Sequence, residues 1–399
     1  MEPYLWEWGS AILRWLHIIA GMAWIGASFF FMHLDALLKR RPDLPEGVLG
    51  SSWQVHGGGF YEMRKWTVAP PELPPELVWH KWQAYWTWIS GALLLAWIYY
   101  AQAELYLVDP AVLDIAPPLA AAIGVFGLVL GWLVYDALCK SRLKDNDAAL
   151  LALLFLFVVG LSAVFAHVFS GRAAMLHTGA VLGTVMTGNV FFVIIPNQRI
   201  VVADLKAGRA PDPALGKAGK QRSTHNNYIT LPVVFMMIAN HYPLAWSTPW
   251  MIPLMVALVT IAGAFVRVFY NLHHAGRGSP WWAWGAAGAA MAAAIALSIV
   301  AAPGPNGETA RRAAPDHPVP AEVTEILLTR CSMCHMAQPV WSGIAAAPKG
   351  VLLDTDAAIA RQAEAIRLHA VLTRSMPPNN VTGMTEDERR VLAAWLSSP

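Results

Sequence analysis

Charge is scarce in this chain. Of its 399 residues only 14% are Asp, Glu, Lys or Arg, against about 25% in an ordinary soluble protein. That scarcity excludes a wholly water-soluble chain. No basic stripe, zinc finger or nucleotide-binding loop is present, so nucleic acid is not a partner, and the net charge of +2 says little by itself. The N-terminus lacks the basic start of a cleavable signal, carrying Glu2 and Glu7 instead, and no convincing small-residue cleavage site follows. Cysteine occurs three times, so a motif that uses two of them stands out.

What is there is apolar. Hydrophobic residues make up 56% of the chain, 19 of them Trp, and the mean hydropathy is +0.43. Eight apolar segments approach the ~20 residues a bilayer crossing needs: 10–32, 83–102, 117–138, 148–168, 175–195, 228–247, 251–270 and 281–302. The sixth is the least regular, interrupted by Pro232 and by Asn240-His241-Tyr242-Pro243. The expected fold class is all-α: a polytopic helical membrane domain of about eight transmembrane helices over residues 1–302, a Pro/Gly-rich linker over 303–318 and a small, less apolar C-terminal domain over 319–399.

Lys and Arg set the orientation. The loops after segments 1, 3, 5 and 7 hold Lys39, Arg40, Arg41, Arg64, Lys65 and Lys81; Lys140, Arg142 and Lys144; Arg199, Lys206, Arg209, Lys217, Lys220 and Arg222; and Arg277. The loops after segments 2 and 6 hold none, and the loop after segment 4 holds only Arg172. Even-numbered loops and both termini are therefore expected outside a bacterial inner membrane, with the tail in the periplasm. The long loop 33–81, with Gly57-Gly58-Gly59, is expected on the cytoplasmic side with short ordered pieces.

The tail carries Cys331-Ser332-Met333-Cys334-His335, the attachment signature of a covalent haem c. Each thiol adds across one vinyl group, and the short tether brings His335 under the iron as proximal ligand. A chance match or a zinc knuckle is the alternative, and zinc wants two further ligands at suitable spacing. Met376, in Ser375-Met376-Pro377-Pro378, follows a helix-like run from Ala357 to Leu372 and is the candidate distal ligand, with Met384 competing. A His/Met pair raises the potential and suits electron transfer. Helices are expected at Ala321–Arg330 and, opened by the capping box Thr385-x-x-Glu388, through Leu396, an arrangement over residues 319–399 that resembles a small class I cytochrome c domain.

An electron-carrying tail needs a donor, and ionisable residues at membrane depth are functional candidates. His17, His167, His177 and His241, with Arg172, are expected at the outer side; His33, His80, His225 and His273-His274 at the inner side, with His56 in the loop. They are either interfacial histidines bonded to neighbouring helices or, in part, ligands of an additional non-covalent haem. His17 leads to Gly21 and Ser28 at helical spacing, small residues that would leave room for a flat ring. An inner polar set, Asn189, Asn197-Gln198-Arg199 and Thr224-His225-Asn226-Asn227, is a solvated loop with caps or a site for a flat, anionic, multiply hydrogen-bonding substrate. Cys139 reads as structural.

The stretch Trp15-Leu16-His17-Ile18-Ile19-Ala20-Gly21-Met22-Ala23-Trp24-Ile25-Gly26, with Thr187-Gly188-Asn189-Val190, Pro196-Asn197-Gln198-Arg199 and the order of eight spans then C-x-x-C-H, resembles bacterial membrane-bound urate oxidases fused to a C-terminal cytochrome c. The resemblance implies oxidation of urate to 5-hydroxyisourate, with electrons leaving through the cytochrome toward a further cytochrome or terminal oxidase and no hydrogen peroxide formed. It assigns no urate-binding residue. From residue chemistry, His225 is the expected base, with Arg199 and Gln198 binding the anion; on a periplasmic site His17, His177 and Arg172 take their place. The alternatives are a quinol-to-cytochrome c conduit without substrate chemistry and a transporter with a redox-sensing tail.

Overall fold

A computed structural model describes residues 2–70, 72–301, 318–342, 344 and 346–397. Helices dominate it. Among the described residues six are long and apolar enough to cross a membrane: Leu5–Leu37, Pro117–Lys140, Asp147–Ala166, Gly171–Lys206, Met251–His274 and Trp281–Val300. The expected second and sixth spans are helical as well, but less apolar. Helix α2 (Trp82–Leu94), continued by a wider turn over Leu95–Tyr100, is diluted by Trp and Tyr. The one over Pro213–Ile238 begins with a polar half, PALGKAGKQRSTHNN.

The long helices, α1 (Glu2–Leu37), α4 (Pro117–Lys140), α5 (Asp147–Ala166), α6 (Gly171–Gly188), α8 (Pro213–Ile238), α9 (Met251–His274) and α10 (Trp281–Val300), pack through small residues. Helix α4 buries Ala120, Gly124, Gly127 and Gly131 at three- and four-residue spacing, which lets neighbouring side chains approach its backbone. A Cβ on Gly127 would lie 2.6 Å from the Phe165 ring, and one on Gly131 would run into Val181. On α10 the buried stripe Ala283, Ala287, Ala290, Ala294 does the same against α9. Asn146, Ser170 and Asp212 cap α5, α6 and α8 through the backbone N–H groups of Ala149, Ala173 and Ala214.

Three expectations change. The chain is mostly helical, as expected, but within loop 33–81 β1 (Val48–His56) and β2 (Gly59–Trp66) form an antiparallel hairpin. Gly57 and Gly58 supply the positive φ, +57° and +79°, that a two-residue hairpin turn requires. Second, Pro196 to Arg199 is no loop but the start of α7 (Ile195–Lys206). Proline has no N–H to give, and the wider turn Asn189–Ile194 just before it accommodates the missing bond. Third, the run Ala357–Leu372 is broken into α12 (Asp356–Arg361), α13 (Ala363–Ile366) and a wider turn Arg367–Leu372. The expected linker 303–318 lies, except for its last residue, outside the described residues.

The C-terminal unit has its own core, in which Val323, Ile326 and Leu327 of α11 (Ala321–Arg330) meet Leu392, Trp395 and Leu396 of α14 (Glu386–Ser397). The capping box forms: Glu388 accepts from Thr385 N at 2.6 Å and Thr385 Oγ1 accepts from Glu388 N at 3.2 Å. The unit rests on one end of the bundle. Asn379 donates to the carbonyl of Glu104 in short α3 (Ala103–Tyr106) at 3.4 Å. Asp109, ahead of α4, Ser170 to Arg172, at the start of α6, and Trp246, between α8 and α9, face Arg374, Ser375, Pro378 and Asn379 across a crevice.

Candidate functional site

The Cys331–His335 turn follows α11 directly. Cys334 N and His335 N donate to the Cys331 carbonyl at 3.2 and 3.0 Å, so both cysteines and the histidine project from one tight turn. Cys331 is buried against the core and burial pushes its thiol up to about 12. Burial also lowers the His335 imidazole below its ordinary value, only partly offset by the hydrogen bond from Nδ1 to the Val351 carbonyl at 3.0 Å. The ring is therefore neutral at pH 7 with Nε2 available. Two neutral thiols and an imidazole oriented through its other nitrogen are the donors a covalently attached haem requires. Met376 is half-buried on a loop held by Met376 N to the His369 carbonyl at 2.9 Å and by Arg389 to its own carbonyl at 3.1 Å. Met384 is 3% exposed and packs within the core.

The end of the bundle beneath this unit holds His177 and Arg172. His177 is fully buried among Tyr99, Tyr100, Phe165 and Phe169. Its Nδ1 donates to the Ala173 carbonyl at 2.8 Å and its Nε2 accepts from the Tyr100 hydroxyl at 3.2 Å. Arg172 lies over the rings of Tyr106 and Trp246, at 5.7 and 5.5 Å. His17 is apart from both: its Nδ1 faces the Thr87 carbonyl at 3.0 Å and Ser90 Oγ at 3.1 Å on α2. His167 and His241 are exposed. Neither nitrogen of His177 is open to the iron of a second, non-covalent haem. Both are engaged and a Cβ on Gly124 would lie 2.8 Å from Nε2, while Gly91 of α2 is pressed on His17.

A second polar layer lies twelve residues further along the α6 course, about 18 Å by helical rise, where Asn189 follows the helix. The Asn189 amide donates to Tyr135 Oη at 2.9 Å and Asn226 Oδ1 at 2.8 Å, and its oxygen accepts from Arg222 at 3.2 Å. Tyr135 Oη is in turn hydrogen-bonded to His225 Nδ1 at 2.9 Å, and His225 Nε2 is buried without a partner among the described residues. Arg222 closes the network on Asp136 at 2.7 Å. Of the three residues expected to act together, only His225 belongs here. Gln198 and Arg199 are exposed on α7 and are not among its hydrogen-bond partners. Sequence reasoning missed Tyr135, Asp136 and Arg267; the usable signal was a polar or charged residue within an apolar run. Among the described residues no three His, Cys, Asp or Glu side chains form a metal-holding group.

A family model described as urate oxidase N-terminal matches residues 3–298. The chain belongs to that family. The match spans the helical bundle and both polar layers of this urate oxidase relative, and it stops before the C-terminal unit. No curated protein matches the chain, and no solved structure does either.

Proposed function

We propose that the chain oxidises urate to 5-hydroxyisourate in its membrane domain and delivers the electrons to a haem c attached through Cys331 and Cys334. The observation that carries this reading is the family match over residues 3–298. The long apolar helices are compatible with a membrane protein, and the loop charges support placing the C-terminal unit in the periplasm. In the overall reaction urate and water give 5-hydroxyisourate, two protons and two electrons; the new bond is C5–O, its oxygen from water. The haem, when bound, accepts those electrons singly, for onward passage to a further cytochrome or terminal oxidase.

The chain's own residues have three tasks. His335, with its Nδ1 bonded to the Val351 carbonyl, and Met376, on its tethered loop, would hold the haem iron. The membrane domain must bind a flat anion and take its protons, and neutral imidazoles are the groups suited to that at pH 7. The contact between the Arg374–Asn379 loop and the bundle end keeps the receiving unit beside the donor domain.

The test is an anaerobic difference spectrum of membranes containing the protein, before and after urate. A growing reduced c-haem band, absent in His335→Ala, with no hydrogen peroxide formed, supports the reading. Reduction by a quinol but not by urate overturns it in favour of the electron conduit.

A further inference from the structure

Two arginines are buried in the membrane domain, and only one has its charge answered. Arg222 and Arg267 are 3% and 7% exposed. Arg222 pairs with Asp136 at 2.7 Å. Among the described residues Arg267 pairs with no carboxylate: its Nε donates to Asn227 Oδ1 at 3.0 Å, one Nη2 hydrogen goes to Asn271 Oδ1 at 3.2 Å, and its centre sits 4.3 Å over the Phe29 ring. Neutral amides orient a guanidinium but do not cancel its charge, and an uncompensated buried cation costs several kcal/mol. The remaining guanidinium N–H groups have no acceptor among the described residues.

Beside Arg267 is a cavity of about 300 Å³ between α1, α8 and α9, lined also by Phe29, His33, Leu231, Tyr270 and His274. That volume lies at the lower end for small-molecule sites. The His33 and His274 rings meet edge to face with centroids 4.2 Å apart, and His33 Nδ1 is buried with no partner. Next to Arg267, the Asn227 amide nitrogen is also buried and unpartnered. The group therefore offers an unneutralised cation in a flat donor fork, free imidazole nitrogens and apolar walls around open space. It lies at the bundle end opposite the C-terminal unit, since His33 and His274 end helices whose N-termini face the other way.

We infer that this cavity is the binding site for a planar purine anion, urate itself, with Arg267 supplying the counter-charge and paired donors and His33 and His274 meeting the ring's N–H and carbonyl edge. The inference rests on the urate reading above. A flat monoanion with acceptors along one edge answers both the missing charge and the fork geometry. It also moves the substrate away from His225, whose Nδ1 is committed to Tyr135 on another face of α8.

The test uses the full-length protein purified in detergent and held anaerobically with dithionite, so that bound urate is not turned over. Equilibrium binding of radiolabelled urate is measured for the unmodified chain, for Arg267→Gln and for Leu231→Trp, which fills the cavity while leaving the arginine and its amides intact. We expect at least tenfold weaker binding in both variants, with the reduced haem spectrum unchanged. If Arg267→Gln does not fold, Leu231→Trp decides alone. An unmodified chain that neither binds urate nor is reduced by it refutes the functional reading. An unmodified chain that does both, alongside folded variants that bind within twofold of it, refutes the site while that reading stands.

Discussion

Asp136 holds Arg222 at 2.7 Å through one carboxylate oxygen and Lys140 at 2.6 Å through the other. The two contacts are unequal in energy. The Arg222 side chain is 3% exposed, so removal of Asp136 leaves a buried cation, whereas the Lys140 side chain is 70% exposed and water replaces its partner. Asp136→Ala should therefore lower the stability of the bundle by about 3 kcal/mol, the lower end for a broken buried pair because Asp136 keeps some solvent. Lys140→Ala should change it by less than ~0.5 kcal/mol. Thermal unfolding in detergent checks both, and equal losses would refute the argument from burial.

The same pair shows what was legible in the sequence. The apolar runs located the long helices because burial in lipid or in a bundle demands continuous hydrophobicity, and α11 and the Thr385–Glu388 box follow from periodicity and cap chemistry alone. Asp136 and Arg267 were hidden by those same runs: one charge in twenty apolar residues barely changes an average. Partner choice was hidden for another reason. His225 sits three residues after Arg222 on α8, yet its partner Tyr135 is 90 residues away in the chain, and no local pattern encodes such a meeting. Arg199 and Gln198 looked accessible to His225 only while Pro196 was taken to open a loop.

Glu388 gives the C-terminal unit a pH dependence. Burial pushes its carboxyl upward, but the Thr385 backbone N–H and Arg330, at 3.0 Å, outweigh that and hold it below its ordinary value. A depressed folded-state value means the stabilisation is fully present above the unfolded carboxylate range, near pH 4.3, and is lost as pH falls through the folded value. Glu388→Gln should cost about 1 kcal/mol at pH 7, and the gap to the unmodified chain should close below about pH 4. Hydrogen exchange of the 386–397 peptide in the full-length protein reads this directly. A gap that persists in acid would mean the carboxylate charge is not the source.

The two candidate methionines should separate cleanly. Met384, 3% exposed in the core, should lose about 2–4 kcal/mol as Met384→Ala, and less than about 1.5 as Met384→Leu, with the haem spectrum unchanged in the leucine variant. On the proposed haem c reading, Met376→Leu should leave stability nearly unaltered and lower the midpoint potential of the haem, because a thioether ligand favours the reduced iron. Redox titration followed by visible absorption decides; a potential that moves with Met384→Leu instead would exchange the two assignments.

Gly124 is where a single methyl group meets both members of the Tyr100–His177 pair, of which His177 is fully buried. Its added Cβ would lie 2.7 Å from Tyr100 Oη and 2.8 Å from His177 Nε2, and the surrounding rings of Phe165 and Phe169 leave little room to yield. Gly124→Ala should cost about 1–3 kcal/mol by overpacking. Tyr100→Phe should cost about 1–3 kcal/mol for a different reason, since buried His177 Nε2 loses its donor. The two costs overlap in space: without the hydroxyl, the alanine methyl has one fewer atom to displace. The double variant should therefore be more stable than the sum of the single losses implies, with a coupling of about 1 kcal/mol. Thermal unfolding of the four proteins closes the cycle. Strict additivity would mean that the helix backbone moves aside for the methyl group, and that the glycine is not what brings α4 against His177.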